Sequence, residues 1–190
     1  DIERTEGWKN DLSYMKTRME QTHFDIFRTL SKEKWDKMFA ELERNSANMD
    51  DARIYTEMLK ITSSVGDGHT TIFPGDNAAL KLYALPVQFY LFEEGLYITL
   101  VPPEHKELAG KKVVRIGNSD INDALKKLTE VISADNEIWY KNLGPVYLTY
   151  NSILYGLGIT PKEDEAEITF DSGEKILIKS ELMQGHGHNR

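Results

Sequence analysis

Apolar residues in the first third of the chain recur every three or four positions, which is the spacing of one face of a helix. The pattern predicts a first helix over residues 7–22 and a second that begins at the N-cap Ser31. A third begins at Asp50 or Asp51 and ends at Gly66, a residue type common at helix C-termini. The apolar faces of these helices are Trp8, Leu12, Met15 and Met19; Trp35, Met38, Phe39 and Leu42; and Ile54, Met58, Leu59, Ile61 and Val65.

Beyond His69 the apolar positions follow the two-residue period of strands. The predicted strands are 83–92, 96–101, 112–116, 166–171 and 175–179. A helix is expected to follow Asp120 or Asn122. A helical block covers about 133–158, and we expect Gly144 and Pro145 to break it.

These patterns predict an α+β fold with two units and a tail. Residues 1–68 form an N-terminal helical bundle, and residues 69–182 form a strand-rich unit that carries the helical block as an insertion. The segment 183–190 has no apolar period and is expected to be a flexible tail.

Composition narrows the possible functions. The chain has 190 residues and a net charge of −8 at pH 7, so a nucleic-acid partner is not expected, because such partners require clustered Lys and Arg. It contains no cysteine, which excludes disulfides and thiolate chemistry. No apolar run reaches the length of a membrane span. The first residue is Asp1 instead of Met, which fits a mature or trimmed form. We expect an exported bacterial protein, secreted, periplasmic or at the cell surface.

The turn between the two units combines glycines, an acid and a histidine. Its residues are Gly66, Asp67, Gly68, His69 and Thr70. His69 has two interpretations. It is an imidazole near an active-site groove, oriented or charged by Asp67, or its ring hydrogen-bonds the local backbone and fixes the junction between helix and strand.

This run, placed between a helical region and a strand-rich unit, resembles the Asp-x-His-Thr element of the S41 serine peptidases, the C-terminal processing, tail-specific and tricorn-like proteases. Residues 107–125 resemble the part of a PDZ domain in which a glycine precedes a strand, a turn and a helix. The resemblance implies that residues 69–182 are PDZ-like. It also implies that the catalytic serine and lysine lie in a further C-terminal domain that these residues do not contain.

The leading hypothesis is therefore a non-catalytic region for substrate recognition or regulation, whose partners are a peptide or protein substrate and a catalytic domain of the same or a larger chain. A PDZ-like unit implies capture of an extended peptide by strand addition, and the candidate residues are Leu85, Val87, Gln88 and Phe89. Pro86 lacks an N–H, and the segment lacks the glycine-rich loop that usually binds the peptide carboxylate.

Two alternatives stay open. The chain is a stand-alone peptide- or protein-binding scaffold without hydrolase activity, or it is a small hydrolase that uses His69 with Ser63 or Ser64. A complete triad within so few residues is geometrically unfavourable, because triad members normally converge from separate elements. We therefore assign no catalytic residue within the chain.

No cofactor or metal is expected. Gly66-Asp67-Gly68 lacks the Gly-Lys-Ser/Thr that completes a phosphate-binding loop. His186 and His188 form a His-x-His pair, but they lie in the tail and lack a nearby third ligand in the sequence.

Overall fold

The computed structural model describes residues 2–74 and 80–183. Its first third is helical, with α1 at Ile2–Thr22, α2 at Lys32–Ser46 and α3 at Asp51–Ser63. Both predicted N-caps are confirmed: the Ser31 hydroxyl accepts the Lys34 N–H at 3.2 Å, and the Asp50 carboxylate accepts the Arg53 N–H at 2.9 Å. The first helix begins earlier than the apolar period predicts.

The second half mixes short strands and short helices. The strands are β1 (Tyr83–Ala84), β2 (Gln88–Phe92), β3 (Gly95–Leu100), β4 (Lys112–Ile116), β5 (Ser119–Asp120), β6 (Glu165–Phe170), β7 (Lys175–Lys179) and β8 (Glu181–Leu182). The helices are a 3-10 helix at Pro103–Leu108, α4 at Ile121–Leu128, α5 at Glu137–Tyr147 and α6 at Asn151–Gly156. Across the described ranges, no helix has both the length and the apolar content needed to cross a membrane.

The strands form one main antiparallel sheet in the order β2-β3-β4-β6-β7, with β5 paired to β4. A separate ladder pairs β1 with β8. Strands β2 and β7 therefore end the main sheet, and the predicted α+β class is confirmed.

The predicted strand over 83–92 is divided in two. Pro86 cannot donate a hydrogen bond to a neighbouring strand. Just before it, the Leu85 N–H donates to the Thr149 carbonyl at 2.7 Å, outside the main sheet. The chain therefore leaves the β1–β8 ladder at Leu85 and enters the main sheet at Gln88.

The predicted helix break at Gly144 and Pro145 is wrong, because α5 continues through both residues to Tyr147. Pro145 lies close to the end of the helix, where one missing donor affects few hydrogen bonds. The Gly144 carbonyl still accepts the Leu148 N–H at 2.9 Å. A side chain at position 144 would contact Leu125, since its Cβ would lie 2.9 Å from Leu125 Cδ2.

Two clusters of buried apolar residues meet at α3. One joins α1, α2 and α3 and includes Trp35 and Ile54. The other lies between the main sheet and helices α3 to α6 and includes Tyr55 and Leu59. Neighbouring faces of α3 therefore contribute to two cores at once. Ile72, which follows α3 in the chain, packs against both clusters.

The contact of α3 with α6 yields a stability prediction. A Cβ at Gly156 would lie 2.0 Å from Thr56 Oγ1 and 2.7 Å from Thr56 Cβ, and Thr56 is fully buried. We expect Gly156→Ala to lower the free energy of unfolding by about 1–3 kcal/mol, as overpacking does. Urea denaturation followed by circular dichroism measures the change.

Gly7→Ala is the matched control. Gly7 lies inside α1, and none of the described residues comes within 4 Å of a Cβ placed there. We expect this variant to be more stable by roughly 0.5–1 kcal/mol, the usual helix preference for alanine. Equal effects of the two substitutions would contradict the close packing of α6 on α3.

Candidate functional site at the turn after the third helix

Gly66 reverses the chain after α3. Its φ of +72° lies in the left-handed region, which favours glycine. A Cβ at this position would also lie 3.2 Å from Thr29 Oγ1. The Thr29 hydroxyl donates to the Val65 carbonyl at 2.6 Å, so the connection between α1 and α2 packs directly on the start of the turn.

The Asp67 carboxylate is the centre of the turn. It accepts the Thr70 hydroxyl at 2.6 Å and the His69 N–H at 3.1 Å, and His23 Nε2 lies 3.4 Å away. The hydrogen bond from Thr70, followed by that from the His69 backbone, lowers the pKa of Asp67 to about 2. Asp67 is therefore ionised at neutral pH, and 34% of its side chain is exposed to water.

His23 is a member of the site that the sequence analysis missed. Its Nδ1 accepts the Asp25 N–H at 3.1 Å, and its Nε2 lies 3.1 Å from Thr70 Oγ1. His23 and Thr70 are 47 positions apart, so local spacing in the sequence does not predict their contact. The one available signal was a histidine in the connection between two helices, next to the apolar residues Phe24, Ile26, Phe27 and Leu30.

The far side of the turn is fixed by the loop before α5. The Gly68 N–H donates to Asp135 Oδ1 at 2.9 Å, and the Ser133 hydroxyl donates to the Thr70 carbonyl. A Cβ at Gly68 would lie 2.8 Å from Asp135 Oδ2, so a side chain here would displace this carboxylate. The turn is thus attached both to the helical bundle and to the loop next to the sheet.

The His69 imidazole is exposed to solvent beside the carboxylates of Asp67 and Asp135. Its side chain is 88% exposed, and its Nδ1 lies 3.6 Å from Asp67 Oδ1, which is within ion-pair range but too long for a hydrogen bond. Asp67, Thr70 and Gly68 make the hydrogen bonds that fix the junction. The imidazole is left facing solvent with a carboxylate beside one nitrogen.

The two neighbouring serines are directed elsewhere. Ser63 Oγ donates to the carbonyls of Lys60 and Glu130, and Ser64 Oγ donates to the Ile61 carbonyl at 2.6 Å. Within residues 2–74 and 80–183, no hydrogen bond joins either hydroxyl to His69. Nothing in this arrangement activates a serine as a nucleophile.

Three side chains near the turn could together offer ligands to a cation. One ligand atom each from Asp67, His69 and Asp135 lies within 4.8 Å of the others. The Asp67 carboxylate already accepts two hydrogen bonds, however, and Asp135 Oδ1 accepts the Gly68 N–H. A cation would have to compete with these donors. The predicted pair His186 and His188 lies outside the described residues.

The candidate peptide-binding residues lie at the start of β2. Leu85, Val87 and Phe89 are buried in the sheet core, whereas Gln88 is exposed. The three apolar side chains therefore support the strand from beneath. What β2 can offer a peptide is its backbone, because it ends the main sheet. Peptide binding here stays a prediction.

Known proteins resemble this chain in structure and not in sequence. No family profile and no curated protein sequence matches it. The solved structures it resembles include three of CPAF, a chlamydial serine protease. They are a serine-to-alanine mutant (TM-score 0.62, 10% identity), mature CPAF complexed with lactacystin (0.62, 11%) and mature CPAF (0.60, 10%).

The likeness covers most of this chain and a minor part of its neighbours. It includes 94% of the chain but spans only 34–35% of the length of the CPAF chains. At such low identity it shows the fold, and no residue role follows from it. The chain is thus similar in fold to about a third of a serine protease.

The depressed pKa of Asp67 predicts a pH-dependent effect of Asp67→Asn. A carboxyl whose pKa is lowered by folding stabilises the protein above its ordinary value of 3.8, and this contribution is lost as the pH falls to about 2. We expect Asp67→Asn to lower the free energy of unfolding at pH 7 by roughly 1 kcal/mol, a modest figure for a partly exposed group.

Urea denaturation of both proteins between pH 7 and pH 2 measures this difference. The difference in unfolding free energy should shrink as the pH falls below 3.8, the ordinary carboxyl pKa. It should vanish near pH 2, close to the pKa of Asp67 in the folded protein. Asp171→Asn, at an exposed position in the turn between β6 and β7, should show no comparable difference. A gap for Asp67→Asn that stays constant down to pH 2 would contradict the assigned hydrogen bonds.

Proposed function

We propose that this chain is the N-terminal region of an S41-type, tail-specific serine peptidase and serves substrate recognition or regulation. Proteolysis is carried out by a catalytic domain of the same or a larger chain. The observation that carries the proposal is the fold likeness, which includes 94% of this chain and about a third of a serine protease. The Asp67, His69 and Thr70 element at the junction supports the same class.

The main sheet supports a PDZ-like role in peptide capture. Strand β2 ends the sheet, so among the described residues one side of its backbone pairs with no strand, while α5 packs against β2. An extended peptide could pair with it by strand addition, as PDZ domains bind their ligands. The opposite end strand, β7, begins and ends with Lys175 and Lys179, and terminal lysines of this kind discourage pairing. We therefore assign the peptide to β2.

His69 is the group in this region best placed to serve a separate catalytic domain. It is exposed, and the turn beneath it is fixed from two sides by Asp67 and Asp135. A histidine acts as a general base only when a nucleophile comes within hydrogen-bond reach. In this proposal the catalytic domain supplies that nucleophile, and His69 acts on it in place of the lysine that the resemblance implies.

A stand-alone binding scaffold is the second candidate, and an exposed aromatic surface favours it. Tyr90 and Phe92 project from β2 with ring centroids 4.5 Å apart, and Phe92 contacts Tyr97 of β3 at 5.6 Å. Aromatic side chains of this kind are enriched at protein interfaces. A partner that covers this surface needs no peptidase activity.

A fluorophosphonate probe, which labels activated serines, separates the two candidates. We expect the isolated chain to remain unlabelled and the native protein, immunoprecipitated from its exported fraction, to be larger and labelled. In that native protein His69→Gln should reduce kcat at least tenfold, as loss of a general base does. A native protein of this size that is never labelled would refute the peptidase proposal and favour the scaffold.

Peptide capture is tested by titrating the ¹⁵N-labelled chain with peptides that have a free C-terminus. We expect amide shifts along 83–101 and little change along β7, because only β2 is assigned a partner. The same peptides with an amidated C-terminus are the control for carboxylate recognition. Unmoved signals across 83–101 would remove strand addition from the proposal.

A further inference from the structure

We infer that His23 is a positioning residue for His69, acting through Thr70 and Asp67. In the neutral state of His69, this chain of groups places the ring proton on Nδ1 and leaves the Nε2 lone pair facing solvent. The inference rests on the proposed function in one respect, which is that the Nε2 lone pair of His69 accepts a proton during catalysis.

First, the direction of each hydrogen bond from His23 to Asp67 is fixed by its donors. The Asp25 N–H can only donate, so His23 Nδ1 accepts at 3.1 Å and neutral His23 carries its proton on Nε2. Nε2–H then donates to Thr70 Oγ1 at 3.1 Å. The Thr70 hydroxyl, with its oxygen engaged as an acceptor, donates its single proton to Asp67 Oδ2 at 2.6 Å. His23 Nε2 also lies 3.4 Å from Asp67 Oδ2, but Thr70 Oγ1 is the nearer acceptor.

The second step is the orientation of the carboxylate. With Oδ2 engaged by Thr70, Asp67 Oδ1 accepts the His69 N–H at 3.1 Å and lies 3.6 Å from His69 Nδ1. The carboxylate is therefore fixed beside one ring nitrogen, and a small rotation of the exposed side chain brings the two within hydrogen-bond range.

The third step is the effect on the imidazole. A free neutral histidine prefers its proton on Nε2. A carboxylate next to Nδ1 favours the proton there, as the aspartate of a Ser-His-Asp triad does. Nε2 of His69 is then the basic atom, and it belongs to a side chain that is 88% exposed. His23, with 19% of its side chain exposed, acts from within the fold.

Asp135 is the other carboxylate near His69. It accepts the Gly68 N–H through Oδ1, whereas Oδ2 lies against the Gly68 backbone. Because it could also attract the ring proton, Asp135→Asn is an essential control. The inference assigns the effect to Asp67 and expects Asp135→Asn to leave the proton on Nδ1.

The test is ¹⁵N NMR of the histidine rings of the chain at about pH 8.5, where an ordinary histidine is neutral. EDTA is added to exclude bound metal. We expect wild-type His69 to be mainly in the Nδ1–H form and Asp67→Asn to be mainly in the Nε2–H form. The ratio of the two forms should change by roughly two- to five-fold, the size expected for a partly exposed charge pair.

Matched pairs of variants test the hydrogen-bond chain from His23 through Thr70 to Asp67. Thr70→Val and His23→Leu remove a donor and should move His69 toward the Nε2–H form, whereas Thr70→Ser and His23→Gln retain a donor and should preserve the wild-type ratio. His105, on the 3-10 helix, is an internal reference whose form should not change. If His23→Leu does not fold, the Thr70 pair still decides.

Two results would overturn the inference. One is a wild-type His69 mainly in the Nε2–H form, and the other is a ratio that is the same in Thr70→Val and in wild type. Neither depends on a catalytic domain. Failure of the peptidase proposal in the labelling experiment therefore leaves this measurement intact, and failure here leaves the peptidase proposal standing.

Discussion

The burial of α3 between two hydrophobic clusters is the constraint on which the rest of the structure depends. Ile54 faces the helical cluster, whereas Tyr55 and Leu59 face the cluster beneath the sheet. A helix buried on neighbouring faces cannot rotate or slide without exposing apolar surface at one of them. The end of α3 is therefore fixed in position, and so is the turn that follows it.

At that turn, one residue makes the structural hydrogen bonds and another presents an exposed ionisable side chain. Asp67 is engaged by hydrogen bonds that keep it ionised and fix the backbone. His69 makes almost no structural contact through its ring and remains exposed. A charged group fixed beside an exposed imidazole is the arrangement by which proteins orient a base. Neither Ser63 nor Ser64 is placed to be activated by this imidazole, because both hydroxyls donate to backbone carbonyls.

The likeness to CPAF shows that two chains with almost no sequence identity can share an architecture. Cores tolerate extensive substitution when volume and pattern are kept, so 10–11% identity is compatible with one fold. Function does not follow from fold in the same way, because it depends on particular side chains at particular sites. The proposals about His69, Asp67 and β2 therefore depend on the local geometry of this chain.

The parts of the fold that were predictable depend on near neighbours in the sequence. Ser31 and Asp50 cap helices because each bonds an amide three residues ahead. The strands β3, β4, β6 and β7 follow from alternation over five or six residues. The division of 83–92 was not predicted, because it depends on Thr149, which accepts the Leu85 N–H from a distant part of the chain.

The same distinction applies to the site. The chain order alone places Asp67, His69 and Thr70 in one turn, because they are adjacent and glycines surround them. Only the tertiary structure brings His23 and Asp135 to that turn and turns the imidazole outward. It also buries Leu85, Val87 and Phe89, which had been candidates for ligand contact. Neighbouring residues determine local hydrogen bonds and the helix or strand period. The exposure of His69 and its long-range neighbours depend instead on how α3 packs between two cores.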